Sequence, residues 1–199
     1  MKIRPLLEKI VERSAPGRFP SYKEAHVVKA LELASKGGIG RASLGASLGI
    51  SEGVVRTLVR HLLEEELIEV SPKGISISKK GERFLDEIHS IIKMVKVPNT
   101  TDTIGTYNYA VMVKGAFNKV RLGVEQRDAA LLVGARGATT IVYKTYLWIP
   151  GMNRKPEMEL SEFIEKNLFP EEEDVVIIGT GDTVLTAEIG ALSAAICLA

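Results

Sequence analysis

Arg56 and Arg60 stand four residues apart in the segment Ser-Glu-Gly-Val-Val-Arg-Thr-Leu-Val-Arg (51–60). At that spacing two side chains leave a helix on the same face. A guanidinium can grip a phosphate, or pair bidentately with a guanine edge. Val55, Leu58 and Leu62 define the inward side, so Glu52, Gly53, Arg56, Thr57 and Arg60 face out. Ser43 and Ser51 fall near predicted helix starts, where hydroxyls and free backbone N–H groups meet phosphate oxygens. Lys73 in a Pro-Lys-Gly turn, and Lys79 and Lys80 beyond it, can add contacts to a phosphate backbone. The glutamate run 64–66 reads as a solvated face at the far end of the same helix. The partner these groups suit is double-stranded DNA.

A different chemistry is suggested by Val-Val-Ile-Ile-Gly-Thr-Gly-Asp-Thr (175–183). A buried strand runs into Gly179, Thr180, Gly181, Asp182 and Thr183, and a helix follows. Glycines let a ligand approach the backbone, and a helix start favours anions. The third glycine of a dinucleotide fingerprint is missing, and no Gly-Lys-Ser/Thr follows. The competing reading is a tight turn with Asp182 as helix cap. Arg127, in Glu-Gln-Arg-Asp (125–128), can reach a ligand or pair with its neighbours. His26, His61 and His89 all lie in the first half, which leaves no Ser/His/Asp or Cys/His set. With Cys197 they show no metal-ligand spacing. No catalytic residue, metal or cofactor is assigned, and an enzyme is not expected.

The elements that must position these residues can be read from apolar periodicity. An amphipathic stretch over residues 6–11 is stopped by Ser-Ala-Pro-Gly-Arg-Phe-Pro (14–20). Ser21 and Glu24 form a capping-box pattern ahead of a helix carrying Ala25, Val28 and Leu31. Gly37 and Gly38 end it. Leu44 and Leu48 mark the next helix, Gly49 a reversal, and Ser51 a cap for the helix over 52–65. Residues 67–78 read as two short strands around Ser71-Pro72-Lys73-Gly74. Residues 78–96 read as another helix, with Phe84, Leu85, Ile88, Ile91 and Ile92 in period. A Thr- and Asn-rich stretch (97–108) marks a boundary. Beyond it strands alternate with helices, which predicts an α/β sheet domain. The final helix, from Thr183 to Leu198, is apolar almost all round. It must be buried, on its own sheet or against a second copy.

The order helix, helix-turn-helix, hairpin, helix over about residues 20–95 resembles the winged helix-turn-helix transcriptional regulators of bacteria and archaea. Leu48-Gly49-Ile50-Ser51 matches their inter-helix turn, and Lys80-Gly81 their helix start after the wing. That family usually carries glycine before the first wing strand, where this chain has Glu66. The layout of the whole chain is similar to archaeal proteins of this type that carry an uncharacterised C-terminal α/β domain. The expected fold is thus α/β in two domains. Residues 1–97 form the winged-helix DNA-binding domain with flanking helices, and 98–199 an α/β dimerisation or effector-binding domain.

Bulk properties agree with this. The net charge of +1 hides an asymmetry. Residues 1–98 hold 17 Lys and Arg against 12 Asp and Glu, whereas 99–199 hold 9 against 13. A basic half joined to an acidic half suits a polyanion-binding module fused to something else. No apolar run is long enough to cross a membrane, and a single cysteine fits a reducing compartment. The sequence therefore predicts a cytoplasmic DNA-binding transcriptional regulator, a homodimer, with a small-molecule effector as a further expected partner. The alternatives are an enzyme with an accessory winged helix and a winged-helix protein-interaction module.

Overall fold

Leu7, Ile10 and Val11 share one face at helical spacing, and α1 (Ile3–Glu12) buries all three. The computed structural model describes residues 3–12 and 21–199; the proline-bearing stretch 14–20 lies outside the described residues. Two units, Met1–Ser90 and Ile91–Ala199, separate by their contacts.

In the first unit α2 (Glu24–Ser35) buries Ala25, Val28, Leu31 and Ala34. Its cap is Lys23 and not Ser21. The helix starts at Glu24, so the third helical position is His26, whose Nδ1 accepts the Lys23 N–H at 3.1 Å. Helix α3 (Arg41–Leu48) ends at Gly49, whose φ of 65° is the left-handed value the reversal requires. Helix α4 (Glu52–Glu64) buries Val55, Leu58, Val59 and Leu62. Strands β1 (Ile68–Ser71) and β2 (Gly74–Ile77) pair antiparallel around Pro72-Lys73. Ile39 adds an unanticipated third partner, exchanging both backbone hydrogen bonds with Ile75 at 2.9 Å. Helix α5 (Lys79–Ile91) buries Phe84, Leu85 and Ile88.

Glu66 makes the corner between α4 and β1. It sits at φ 57°, a left-handed conformation that glycine adopts without steric cost. Two bonds close the turn: Glu66 N–H to Leu63 O and Leu67 N–H to Leu62 O, both 2.9 Å. This is the double bond of a Schellman termination. The corner forms with glutamate in place of the family's usual glycine.

The second unit is one antiparallel sheet with helices on both faces. Its strands are β3 (Ile92–Val97), β4 (Tyr107–Val113), β5 (Gly137–Tyr143), β6 (Leu147–Trp148) and β7 (Val175–Gly181), in the order β3-β4-β7-β5-β6. Its helices are α6 (Val124–Leu131), α7 (Met158–Leu168) and α8 (Val184–Ile196). Central β7 is buried along its whole length. One face packs Ala110, Met112, Ile141, Val176 and Ile178 against Leu160, Ile164 and Leu168 of α7. The other carries α8, which also meets α6. That position buries the apolar length of α8 inside its own unit, so a second copy is not needed to cover it.

Two expectations change here. The helix read over 78–96 stops at Ile91, and the next six residues pair with β4 from Ile92↔Val113 to Val97↔Asn108. A longer helix would leave that edge of β4 unpaired. Residues 91–97 therefore belong to the second unit, and the boundary expected after residue 97 falls after Ser90. The α/β sheet is found, but every neighbouring pair is antiparallel. The strand-end crevice of open parallel sheets is thus not the place to seek a ligand.

Candidate nucleic-acid interface

The helix-turn-helix presents α4 with its predicted outward face in solvent. Glu52, Gly53, Arg56 and Arg60 are exposed, and Thr57 is half-buried. Packing by Val55, Leu58, Val59 and Leu62 fixes that rotation. Ser43 is exposed on α3. Ser51 occupies the N-cap of α4 in extended conformation, and its carbonyl accepts the Val55 N–H at 2.9 Å. Its hydroxyl makes no capping hydrogen bond. The first-turn N–H groups of α4 thus have no side-chain cap to displace before meeting a phosphate.

Each arginine has an acidic neighbour one turn away. Arg56 lies 3.3 Å from Glu52, and Arg60 lies 3.9 Å from Glu64. Such exposed pairs on a helix are worth about 0.3–0.5 kcal/mol. A charge-assisted hydrogen bond contributes about 1.5–3 kcal/mol. On these magnitudes a phosphate or guanine edge outcompetes an intrahelical carboxylate for an exposed arginine.

Arg60 is also held from behind. Its guanidinium lies 3.3 Å from Nε2 of buried His61. Nδ1 of His61 is 2.6 Å from the Tyr22 hydroxyl, which donates to Ile10 O at 3.2 Å. These partners are all served if Nε2 accepts from Arg60 and Nδ1–H donates to Tyr22. The chain joins the outward arginine to α1 and to the segment before α2. Burial pushes the Tyr22 hydroxyl up to about 12, so it stays a neutral donor; the Arg60 charge opposes this shift and Glu64 adds to it.

The wing carries Lys73 at its exposed tip. Gly38 fits beneath it: a Cβ there would stand 2.6 Å from Lys73 O. The Ile39–Ile75 bridge and this close approach hold the wing against the loop before α3. They also bring the neighbourhood of Arg41 to the wing. Arg41 is exposed at the first position of α3 and makes no ion pair among the described residues. Sequence reasoning passed over it; the signal was an arginine opening the first helix of a helix-turn-helix. Lys79 and Lys80 are exposed at the start of α5. Lys80 lies 3.4 Å from Glu66, which lowers its value as a free cation.

The glutamate run 64–66, expected as a solvated face, has three separate roles. Glu64 pairs with Arg60, buried Glu65 binds Lys9 of α1 at 2.9 Å, and Glu66 forms the corner.

The winged shape is now complete in its parts: three helices, a two-stranded hairpin and a third pairing at Ile39. The N-terminal unit is a winged helix-turn-helix domain. Residues 25–92 match the family model of the CggR N-terminal DNA binding domain. Residues 104–198 match a domain of unknown function, DUF4443. Among solved structures, the hypothetical protein PH0730 from Pyrococcus horikoshii OT3 is similar, with a TM-score of 0.69 and 26% sequence identity. The likeness covers 89% of this chain and 93% of that one. No curated protein matches.

Outside the winged helix, the residues singled out at 179–183 have structural duties. A Cβ on Gly179 would lie 2.4 Å from Ala187 O and from Ala191 N, and one on Gly181 2.3 Å from Thr186 Oγ1. Both glycines exist so that α8 can lie against β7. The cap of α8 is Thr183 and not Asp182: Thr183 Oγ1 accepts the Thr186 N–H at 3.1 Å. Asp182 is held by Arg136. Thr180 is buried with its hydroxyl unpartnered. Gly179 and Gly181 are thus packed against α8 with Thr180 buried between them, and exposed Asp182 and Thr183 lead into that helix. Arg127 pairs with Asp128 at 3.1 Å, as its surface reading expected. Among the described residues no cluster of His, Cys, Asp and Glu could hold a metal, and no helix is long and apolar enough to cross a membrane.

Proposed function

We propose that this protein is a transcriptional regulator that lays α4 in the DNA major groove. The wing contacts the adjacent backbone, and two copies bind each site. The observation that carries this reading is the solvent face of α4. Arg56 and Arg60 project from it, packing fixes its rotation, and the wing is tethered beside it. Arg56, Thr57 and Arg60 reach base edges. Ser43, Ser51, Arg41, Lys73 and Lys79 hold phosphates and set register. The first turn of α4 brings Glu52 and Gly53 closest to the bases. Two copies are expected because one recognition helix reads only a few base pairs, and a symmetric pair doubles the site. The second unit supplies the partner contact or the response to a small effector.

The test is an electrophoretic shift with genomic fragments at about 50 mM salt, where electrostatic binding is strong. The wild-type chain should shift a subset of fragments, and Arg56→Ala with Arg60→Ala should lose that selectivity. A chain that shifts no fragment at this salt refutes the reading.

A further inference from the structure

Among the described residues strand β6 pairs only with Val142 and Tyr143, so β5 from Gly137 to Ile141 has a strand neighbour there on one side alone. In an antiparallel sheet alternate residues then turn their N–H and C=O outward without a partner. This open edge lies at a cavity of about 340 Å³ whose lining includes Ala138, Thr139 and Thr140. The start of α6, the segment 149–152 and Ile104 complete its walls. The volume lies in the range of small-molecule sites.

Its surface is mostly apolar. Ile104, Leu122, Val124 and Met152 all line it, and they are 74%, 62%, 44% and 48% exposed. Four large hydrophobic side chains left in water around one cavity mark a binding surface. Its polar features are few. Thr140 is 4% exposed and its hydroxyl has no partner among the described residues. Helix α6 opens at Gly123 without a side-chain cap, and both Gly123 and Val124 line the cavity. Arg127 is the one charged residue in the lining, and no carboxylate accompanies it there. Its pairing with Asp128 is exposed on both sides and readily exchanged.

We propose that this cavity binds a small molecule with an apolar body and one acidic end, of the class of medium-chain carboxylic acids. The carboxylate meets Arg127 and the start of α6, and the chain lies over β5 among Ile104, Leu122 and Met152. This deepens the effector reading above and rests on it for its regulatory meaning. The binding itself does not depend on DNA.

The experiment is calorimetric titration of the full chain, without DNA, using octanoate and octan-1-ol as probes. Octanoate should bind at one site per chain. Arg127→Gln should weaken it by about tenfold or more, as loss of a charge-assisted bond requires, and leave octan-1-ol unchanged. Val124→Trp, at an exposed position, should block both probes without altering the melting curve. No heat with octanoate at millimolar concentration, or binding indifferent to both substitutions, overturns the proposal. Octanoate binding that follows the pattern in a chain that shifts no DNA supports the cavity and refutes the regulator reading alone.

Discussion

Replacing Arg56 with glutamine should weaken DNA binding by an amount the structure sets. The side chain is 72% exposed and, among the described residues, is held by Glu52 alone, itself 75% exposed. Releasing that pair costs about 0.3–0.5 kcal/mol, and the hydrogen bond the guanidinium then makes to DNA is worth about 1.5–3 kcal/mol. The net loss is about 1–2.5 kcal/mol per copy, or about fivefold to sixtyfold in affinity. If Arg56 holds a phosphate, the slope of log affinity against log salt should also flatten by about 0.9 for each copy bound. A flattening of about 1.8 would count two copies on the site. If it reads a guanine, affinity should fall with little change of slope, and discrimination against non-specific DNA should shrink. Fluorescence anisotropy of a labelled operator between about 50 and 200 mM salt measures both quantities. The variant should unfold within about 0.5 kcal/mol of the wild type. A double variant, Arg56→Gln with Arg60→Gln, that binds with wild-type affinity and slope refutes the placement of α4 in the groove.

Glu66→Gly should stabilise the N-terminal unit in urea unfolding. It relieves a left-handed residue worth about 1–2 kcal/mol and costs about 0.4–1 kcal/mol in unfolded-chain entropy; a lower midpoint would contradict the corner geometry. Gly179→Ala should destabilise the second unit by about 3 kcal/mol, because its Cβ would meet helix backbone that cannot step aside; a loss below about 1 kcal/mol would show that α8 can shift away from β7. Burial holds the His26 imidazole below its ordinary 6.5. The unfolded chain therefore takes up the proton first, so this contribution is present above pH 6.5 and lost as pH falls through that range. His26→Gln should flatten that limb of the stability–pH curve. At the other extreme, Tyr22 ionises from about 10 unfolded and about 12 folded. Stability should decline as pH rises between them, and Tyr22→Phe should remove that decline.

The winged helix was legible because its signals are local. Leu44, Leu48, Val55, Leu58 and Leu62 recur at helical spacing, Gly49 supplies the reversal, and Pro72-Lys73 turns the hairpin. Once that spacing assigns Val55 and Leu62 inward, Arg56 and Arg60 have only the outside left. The Ile39–Ile75 bridge was not legible, since a pairing across 36 positions leaves no periodic trace. Arg41 gains its place beside the wing from the same bridge. Glycines at 179 and 181 read as a ligand turn or as a tight turn with Asp182 as helix cap. The backbone of Ala187 and Ala191 beneath the missing side chains shows a further duty, the seating of α8 on β7, that no local pattern reveals.

By itself the sequence determined that the first unit holds a helix-turn-helix reversing at Gly49, which face of α4 meets solvent, and that an apolar last helix must be buried. Those follow from spacing and turn chemistry within a few residues. The tertiary structure decided that Ile92–Val97 is strand and not helix, that α8 is covered by its own sheet, and that the edge of β5 lies open beside an apolar cavity. Each depends on which backbone edge finds a partner far along the chain. Hydrogen-bond pairing across a sheet is settled by the whole assembly of strands and not by any one of them.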